Sequence, residues 1–353
     1  MRALVLRGHG DVSMLEVADV PAPELSGPGD VRIALQAGAL NHLDLHTIRG
    51  LPGLRLDFPH ILGGDGAGVV ESVGDEVTGC QPGDRVLFNP GVSCYACQQC
   101  LAGEHSRCLR YQLIGEHLPG TFAEYIVVPQ QNVARIPTPP DPHPPISWAE
   151  AAAYSLVTLT AWRMLHTRAG VQPGETVLIW GVGGGVSSVA VSIAKLLGAV
   201  VIVTSSSNEK LEVAREMGAD VVLNHDTVDV AREVRTVTER RGVDVVVDNV
   251  GEATWERSLL VLGKGGRLVT CGATTGAKAV SDVRRVFWNQ YTIMGSTMGS
   301  AADYADIIRL LGEGKLRARV DSTFPLERGV EAIERLRDGK QMGKIVIETG
   351  RGE

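Results

Sequence analysis

The sequence predicts a two-domain α/β protein: a β-rich half, then a doubly wound parallel sheet with helices on both faces. Three observations carry that expectation. The chain has 353 residues, more than a single hydrophobic core normally serves. Residues 1–140 break into short strands separated by Gly, Pro and Asp, whereas from Ser147 onward near-continuous apolar strands alternate with helical segments. A proline-rich connector from Pro137 to Pro145 divides the two textures, because proline stiffens a linker and fits inside neither sheet nor helix.

The elements follow in order. Val31-Arg32-Ile33-Ala34-Leu35 and Arg85-Val86-Leu87-Phe88 alternate as half-buried strands do, and Pro28-Gly29-Asp30 and Pro82-Gly83-Asp84 read as turns. Ser147 with Glu150 three residues later forms a capping box, which opens an apolar helix running to about Leu165. Thr176–Trp180 and Val200–Thr204 are apolar strands, and further strands are expected at 220–223, 244–248, 267–271 and 292–295. From about Met298 the sequence predicts two helices and a last strand, Lys344-Ile345-Val346-Ile347.

Composition excludes several function classes. Apolar residues make up 44% and charged residues 21%, as in ordinary globular proteins with large cores. A net charge of −7 argues against nucleic-acid partners and anionic membranes. No apolar run reaches the roughly 18 residues of a membrane span, and the N-terminus lacks the pattern of a signal peptide. A cytoplasmic location is expected. Four of the six cysteines fall within fifteen residues, unlike a secreted disulfide framework.

Those four, Cys94, Cys97, Cys100 and Cys108, are spaced C-x2-C-x2-C-x7-C within a lobe at 91–110. Two-residue gaps let successive thiolates turn toward one centre, and four of them satisfy tetrahedral zinc with no open position. The expected metal is structural zinc; free buried cysteines, disulfides and an iron–sulfur cluster are the alternatives.

Trp180-Gly181-Val182-Gly183-Gly184-Gly185-Val186-Ser187 follows an apolar strand and opens a helix. Glycines there permit a tight turn and let backbone N–H groups reach a pyrophosphate at the helix N-terminus. This is the phosphate turn of a Rossmann-type nucleotide fold. A carboxylate at the tip of the next strand selects NAD by bonding the ribose 2′-hydroxyl. Here the tip reads Thr204-Ser205-Ser206-Ser207-Asn208-Glu209-Lys210. The small hydroxyls of Ser205 and Ser206 with Lys210 suit a 2′-phosphate, so NADP(H) is favoured over NAD(H).

In this order, Gly63-Gly64-Asp65-Gly66-Ala67-Gly68-Val69-Val70, the cysteine lobe, Gly120-Thr121-Phe122-Ala123-Glu124-Tyr125, Leu159-Thr160-Ala161-Trp162, the glycine turn and Gly343-Lys344-Ile345-Val346 resemble the medium-chain dehydrogenase/reductase superfamily, which holds zinc alcohol dehydrogenases and quinone oxidoreductases. The resemblance spans nearly the whole chain. It implies a GroES-like catalytic domain at 1–146, a Rossmann NAD(P)-binding domain at 147–297, and a return to the catalytic domain at 298–353. It also implies a homodimer or homotetramer paired through the strand near 292–296. By resemblance, Gly181, Gly184 and Ser187 hold the pyrophosphate, Thr160 and Cys271-Gly272-Ala273 line the nicotinamide, and Lys344 reaches the pyrophosphate.

The departures narrow the chemistry. Where zinc alcohol dehydrogenases keep catalytic-zinc ligands, this chain has Asn41, Gly64 and Leu156, and Leu43 stands at the hydroxyl relay position. Catalytic zinc polarises a carbonyl as a Lewis acid; without it, acceptors whose reduced form is already stabilised become the natural substrates. Asn41-His42-Leu43-Asp44 resembles the quinone-oxidoreductase version of the segment, in which the asparagine bonds a carboxamide or substrate oxygen. His46 falls at a relay position and suits proton delivery; Asp44 is expected as an acid or a structural hydrogen-bonder. The resulting expectation is an NADP(H)-dependent oxidoreductase passing hydride to a quinone, enone or aldehyde. Two rivals stand beside it: a zinc-dependent alcohol dehydrogenase with non-standard ligands drawn from His42, Asp44, His46, His60 and Asp65, and a non-catalytic cofactor-binding scaffold.

Overall fold

The computed structural model describes residues 1–350. They divide into two compact units, 1–157 with 299–350 and 158–298, the division falling inside the helix Trp148–Trp162. That helix begins at the expected capping box: the Glu150 N–H donates to Ser147 Oγ at 3.2 Å, and Glu150 Oε2 accepts from the Ser147 N–H at 3.0 Å. It runs on as a wider π turn over Arg163–Arg168.

The first unit is built on a seven-stranded sheet. Asp30–Ala39, at its centre, pairs antiparallel with Asp65–Val73, with Tyr125–Pro129 and with the C-terminal strand Lys344–Glu348. Alternation puts Val31, Ile33 and Leu35 inward, each no more than 1% exposed, against Val70, Val86 and Phe88. One strand was not legible in the sequence. Val320–Pro325 runs parallel beside Lys344–Glu348, but its Val-Asp-Ser-Thr-Phe-Pro composition lacks an apolar face because it lies at the sheet edge.

The second unit is a six-stranded, wholly parallel sheet. Its spatial order is Val221–Asn224, Val200–Ser205, Thr176–Ile179, Val243–Val247, Leu262–Thr270, Thr292–Gly295. The order reverses direction next to Thr176–Ile179, where doubly wound folds place their ligands beyond the carboxyl ends of the strands. Thr176–Ile179 and Val243–Val247 are almost entirely buried, which explains their continuous apolar texture. Among the described residues no helix is long and apolar enough to cross a membrane.

Candidate active site and cofactor turn

In the first unit, three segments far apart in sequence meet at one carboxylate. Asp65, at the start of its strand, is fully buried. Its Oδ1 accepts the Leu156 N–H at 2.7 Å; its Oδ2 accepts Lys344 Nζ at 2.9 Å and Asn41 Nδ2 at 3.0 Å. Lys344 Nζ also donates to Asn41 Oδ1 at 2.6 Å. Because an ammonium only donates, Lys344 fixes which way the Asn41 amide points. The amide nitrogen then faces Asp65 and the Ala39 carbonyl, 3.3 Å away.

This arrangement bears on two expectations. Asn41 is 7% exposed, and both of its N–H groups are engaged within the protein, so it does not offer a donor to a substrate oxygen. Lys344 is 2% exposed and its ammonium is held by Asp65 and Asn41 rather than presented to a pyrophosphate. The pair works as an internal brace, with a buried positive charge beside Asn41.

Asp44 is likewise a brace. Its Oδ2 accepts the Asn41 N–H at 2.7 Å as the return half of a capping box, and its Oδ1 accepts the Gly63 N–H at 3.0 Å. Burial raises its carboxyl to about 7 against the pull of those hydrogen bonds. With both oxygens occupied and 1% exposure, it ties the start of the helix His42–Arg49 to the Gly63 loop. His46 lies one turn along that helix, half-buried, its basicity lowered first by burial and then by Arg49. His42 is lowered further, to about 4, by burial together with His46, Lys344 and Arg49.

The positions that would carry metal ligands do converge. A Cβ on Gly64 would come within 3.2 Å of Leu156 Cδ1 and 3.3 Å of the Ile114 carbonyl oxygen, so the Leu156 side chain occupies the space a ligand at Gly64 would enter. The alternative set fares differently. Among the described residues, His42, Asp44, His46, His60 and Asp65 do not bring three ligand atoms to one centre; His60 instead turns its Nε2 to the Gly115 carbonyl at 3.2 Å. Glu116 and His117 sit 3.8 Å apart near the surface.

The cysteine lobe does form such a centre. The Sγ atoms of Cys94, Cys97, Cys100 and Cys108 all lie within 4.8 Å of one another. Their closest separations are 3.6–3.9 Å; a tetrahedron with zinc–sulfur bonds of about 2.3 Å requires roughly 3.8 Å. Backbone N–H groups of Cys97, Cys94 and Arg110 donate to these sulfurs at 3.3 Å. Such donors stabilise thiolates, and those of Ala96 and Cys97 lower Cys94 to about 5. The donor set therefore fits a closed four-sulfur zinc site. The remaining cysteines stand apart; Cys80 is buried in the core of the first unit.

In the second unit, Gly181 adopts φ +65°, which an L side chain resists, and Gly184 caps the helix Gly185–Leu196. The first N–H groups of that helix have no partner within it, which makes its end an anion cradle. Ser187 does not line the cradle with its hydroxyl. That group donates backward to the Trp180 carbonyl at 3.0 Å and to Asn249 Oδ1 at 3.2 Å, fully buried. The third-glycine position thus became a clasp between helix and sheet.

Sequence reasoning missed the companion of this clasp. Asp248, fully buried at the end of Val243–Val247, accepts hydrogen bonds from the N–H groups of Val250 and Gly251, from Thr254 Oγ1 and from Ser258 Oγ at 2.7 Å. Ser258 Oγ in turn accepts the Trp180 indole N–H at 2.8 Å. The signal was available as an acid directly after the run Val245-Val246-Val247 at a carboxyl strand end. Thr160 is 5% exposed, with its hydroxyl 3.6 Å from Met298 Sδ. Thr274 and Thr275, just beyond Cys271-Gly272-Ala273, donate through their N–H groups to the carbonyls of Asn249 and Val250. At the next strand tip Ser205 is buried, Ser206 exposed and Lys210 half-buried.

Comparison with known proteins agrees with both halves. Residues 27–138 match the alcohol dehydrogenase GroES-like domain, and residues 185–313 match the zinc-binding dehydrogenase family. An NAD-dependent alcohol dehydrogenase of Sulfurisphaera tokodaii is 33% identical, over 98% of this chain and 99% of that one. An acryloyl-coenzyme A reductase of Metallosphaera sedula is 31% identical, over 99% and 100%. The crystal structure of an NAD-dependent alcohol dehydrogenase superposes with a TM-score of 0.93 at 44% identity, covering 99% of this chain and all of that one. A crotonyl-CoA carboxylase/reductase, AntE, in complex with NADP superposes at 0.90 with 26% identity, covering 99% and 95%. The chain belongs to the zinc-type medium-chain dehydrogenase/reductase superfamily and is an NAD(P)-dependent oxidoreductase.

Proposed function

We propose that the protein is an NADP(H)-dependent reductase of activated carbonyl compounds, with conjugated enones and quinones ahead of simple aldehydes, and that its zinc is structural. The observation that carries this reading is the Asn41–Asp65–Lys344 cluster. Protein side chains saturate one another there, and Leu156 fills the neighbouring space. A conjugated acceptor suits such a site, since delocalisation stabilises the charge left after hydride arrives. Relatives named as acryloyl- and crotonyl-coenzyme A reductases support an acceptor of that kind.

The four sulfurs of the cysteine lobe hold the zinc. Gly181 and Gly184 bring the backbone close to the pyrophosphate, and the end of the helix Gly185–Leu196 bonds it. Ser205, Ser206 and Lys210 receive the 2′-phosphate, a reading supported by the absence of an acid between Thr204 and Asn208. Thr160 and Cys271-Gly272-Ala273 flank the nicotinamide, which when bound supplies the hydride. His46 holds the proton delivered to the reduced acceptor. Burial first, and Arg49 after it, lowers its basicity, which favours giving that proton up. Asn41, Asp44 and Lys344 position the loop and touch neither substrate nor cofactor. An exposed apolar face beside the edge strand Thr292–Gly295, formed by Val283, Phe287, Trp288 and Ile293, supports a homodimer paired there.

Metal analysis with chelator challenge and steady-state assays tests the reading. One zinc per chain, turnover that survives chelation, and faster NADPH oxidation with a quinone or enone than NADP⁺ reduction with a primary alcohol are expected. A second, removable zinc whose loss abolishes turnover overturns the reading in favour of an alcohol dehydrogenase. Tight NADPH binding without turnover of any acceptor overturns it in favour of a scaffold.

A further inference from the structure

The second unit carries a concentration of positive charge that the proposed reaction does not use. On the helix Val230–Val237, Arg232, Arg235 and Thr236 lie three and four residues apart and share one face. Beyond the helix end the chain turns through two consecutive left-handed residues that are not glycine, Glu239 at φ +51° and Arg240 at φ +65°. Each such conformation is disfavoured for a residue with a side chain. The turn brings Arg240 back beside the helix, its N–H donating to the Arg235 carbonyl at 2.7 Å. Together Arg232, Arg235, Thr236, Glu239 and Arg240 enclose a surface recess of about 780 Å³.

Three arginines and one glutamate line that recess, in a chain whose net charge is −7. Several other surface arginines sit against acids: Arg241 on Asp244, Arg267 on Glu175, Arg335 on Asp321. Among the described residues Arg232, Arg235 and Arg240 have no carboxylate within ion-pair distance. The helix dipole favours a cation at its carboxyl end, which accounts for Arg235 but not for a strained turn that adds Arg240 to it. Guanidinium forks match phosphate oxygens in pairs.

The position is separate from the cofactor turn. Arg241, next in sequence, donates to Thr176 Oγ1 at 2.9 Å, and Thr176 begins the strand whose far end leads into Trp180 and Gly181. The length of that strand, about 13 Å at 3.3 Å per residue, lies between the recess and the glycine turn. We infer that this recess is a second anion site, which binds a diphosphate-bearing molecule at the end of the strands opposite the cofactor turn.

Calorimetry on protein saturated with its nicotinamide cofactor tests the inference, because saturation closes the glycine turn to phosphate. Inorganic pyrophosphate and ADP are the two probes, and R232A/R235A/R240A is the variant. Pyrophosphate is expected to bind at one site per chain, and the variant is expected to weaken it at least tenfold while cofactor affinity stays within twofold. ADP binding with the same loss in the variant identifies a nucleoside diphosphate as the ligand; pyrophosphate binding alone identifies an inorganic one. Absence of pyrophosphate binding to the parent protein at low salt, or binding that the variant retains, overturns the site.

Discussion

Lys344 Nζ lies 2.9 Å from Asp65 Oδ2, with the two side chains 2% and 0% exposed. A pair so completely removed from water is costly to break from one side, because the survivor keeps a buried charge with no counterpart. Lys344→Met is therefore expected to destabilise the protein by roughly 3–5 kcal/mol in denaturant unfolding. The double variant D65N/K344M, which removes both charges, is expected to recover a large part of that loss. A single-variant cost below about 1 kcal/mol would show that the pair is not sealed.

The cysteine lobe predicts a local response to metal removal. Leu101 and Leu109 are 78% and 83% exposed, so the loop that presents them buries little apolar surface and depends on the sulfur cluster for its shape. Chelated protein, or Cys108→Ser, is expected to be cut by a protease between Tyr95 and Arg110 while the rest of the chain resists. Equal cutting of metal-loaded and chelated protein would contradict a structural metal there.

Cofactor choice is expected to respond to the strand tip. Ser206→Asp places a carboxylate where the 2′-phosphate is proposed to sit. Like charges then repel, and the new group can bond a ribose hydroxyl instead. The ratio of kcat/KM for NADPH over NADH should fall by about one to two orders of magnitude. An unchanged ratio would place the 2′ position elsewhere.

Asp248 predicts an effect on the cofactor from a residue that need not touch it. Asp248→Asn swaps one acceptor oxygen for an amide that faces donors, so at least one of Val250, Gly251, Thr254 or Ser258 loses its partner. The expected cost is roughly 1–3 kcal/mol of stability. The KM for cofactor should rise several-fold with kcat less affected, because Trp180 ahead of the glycine turn is tethered through Ser258. A stability loss with an unchanged KM would confine Asp248 to the fold.

Acid should destabilise the first unit through His42. Burial holds it near 4 in the folded protein, against about 6.5 when unfolded. Above 6.5 both states are neutral there. As pH falls from about 6.5 toward 4 the unfolded chain takes up the proton first, so stability is lost across that window. His42→Gln is expected to flatten the slope of unfolding free energy between pH 6.5 and 4. A slope as steep as that of the parent protein would assign the loss to other groups.

Much of this architecture is written locally. The parallel strands are continuous apolar runs because both of their faces are covered, and the glycine turn announces itself by following one of them. The cysteine centre is legible because its four ligands lie within one short loop. The brace around Asp65 is not local: it joins Asn41, Leu156 and Lys344 across as many as 303 residues of separation. Nothing in the composition of any one segment tells that the Asn41 amide is already saturated. Ser187 was legible as a departure from glycine, yet the direction of its hydroxyl depends on Asn249, 62 residues away. Val320–Pro325 escaped notice because an edge strand needs no apolar face.

The strand Lys344–Glu348 aligns Val346 with Ala39 and Ile347 with Gly38, so the first unit is stitched from the opening and closing stretches of the polypeptide. During synthesis the second unit is complete while the first still lacks one of its inner strands. Residues 344–348 must be synthesised before that sheet can close and before Lys344 can neutralise Asp65. Until then the newborn chain carries an open strand edge at Asp30–Ala39, and Asp65 lacks its cation.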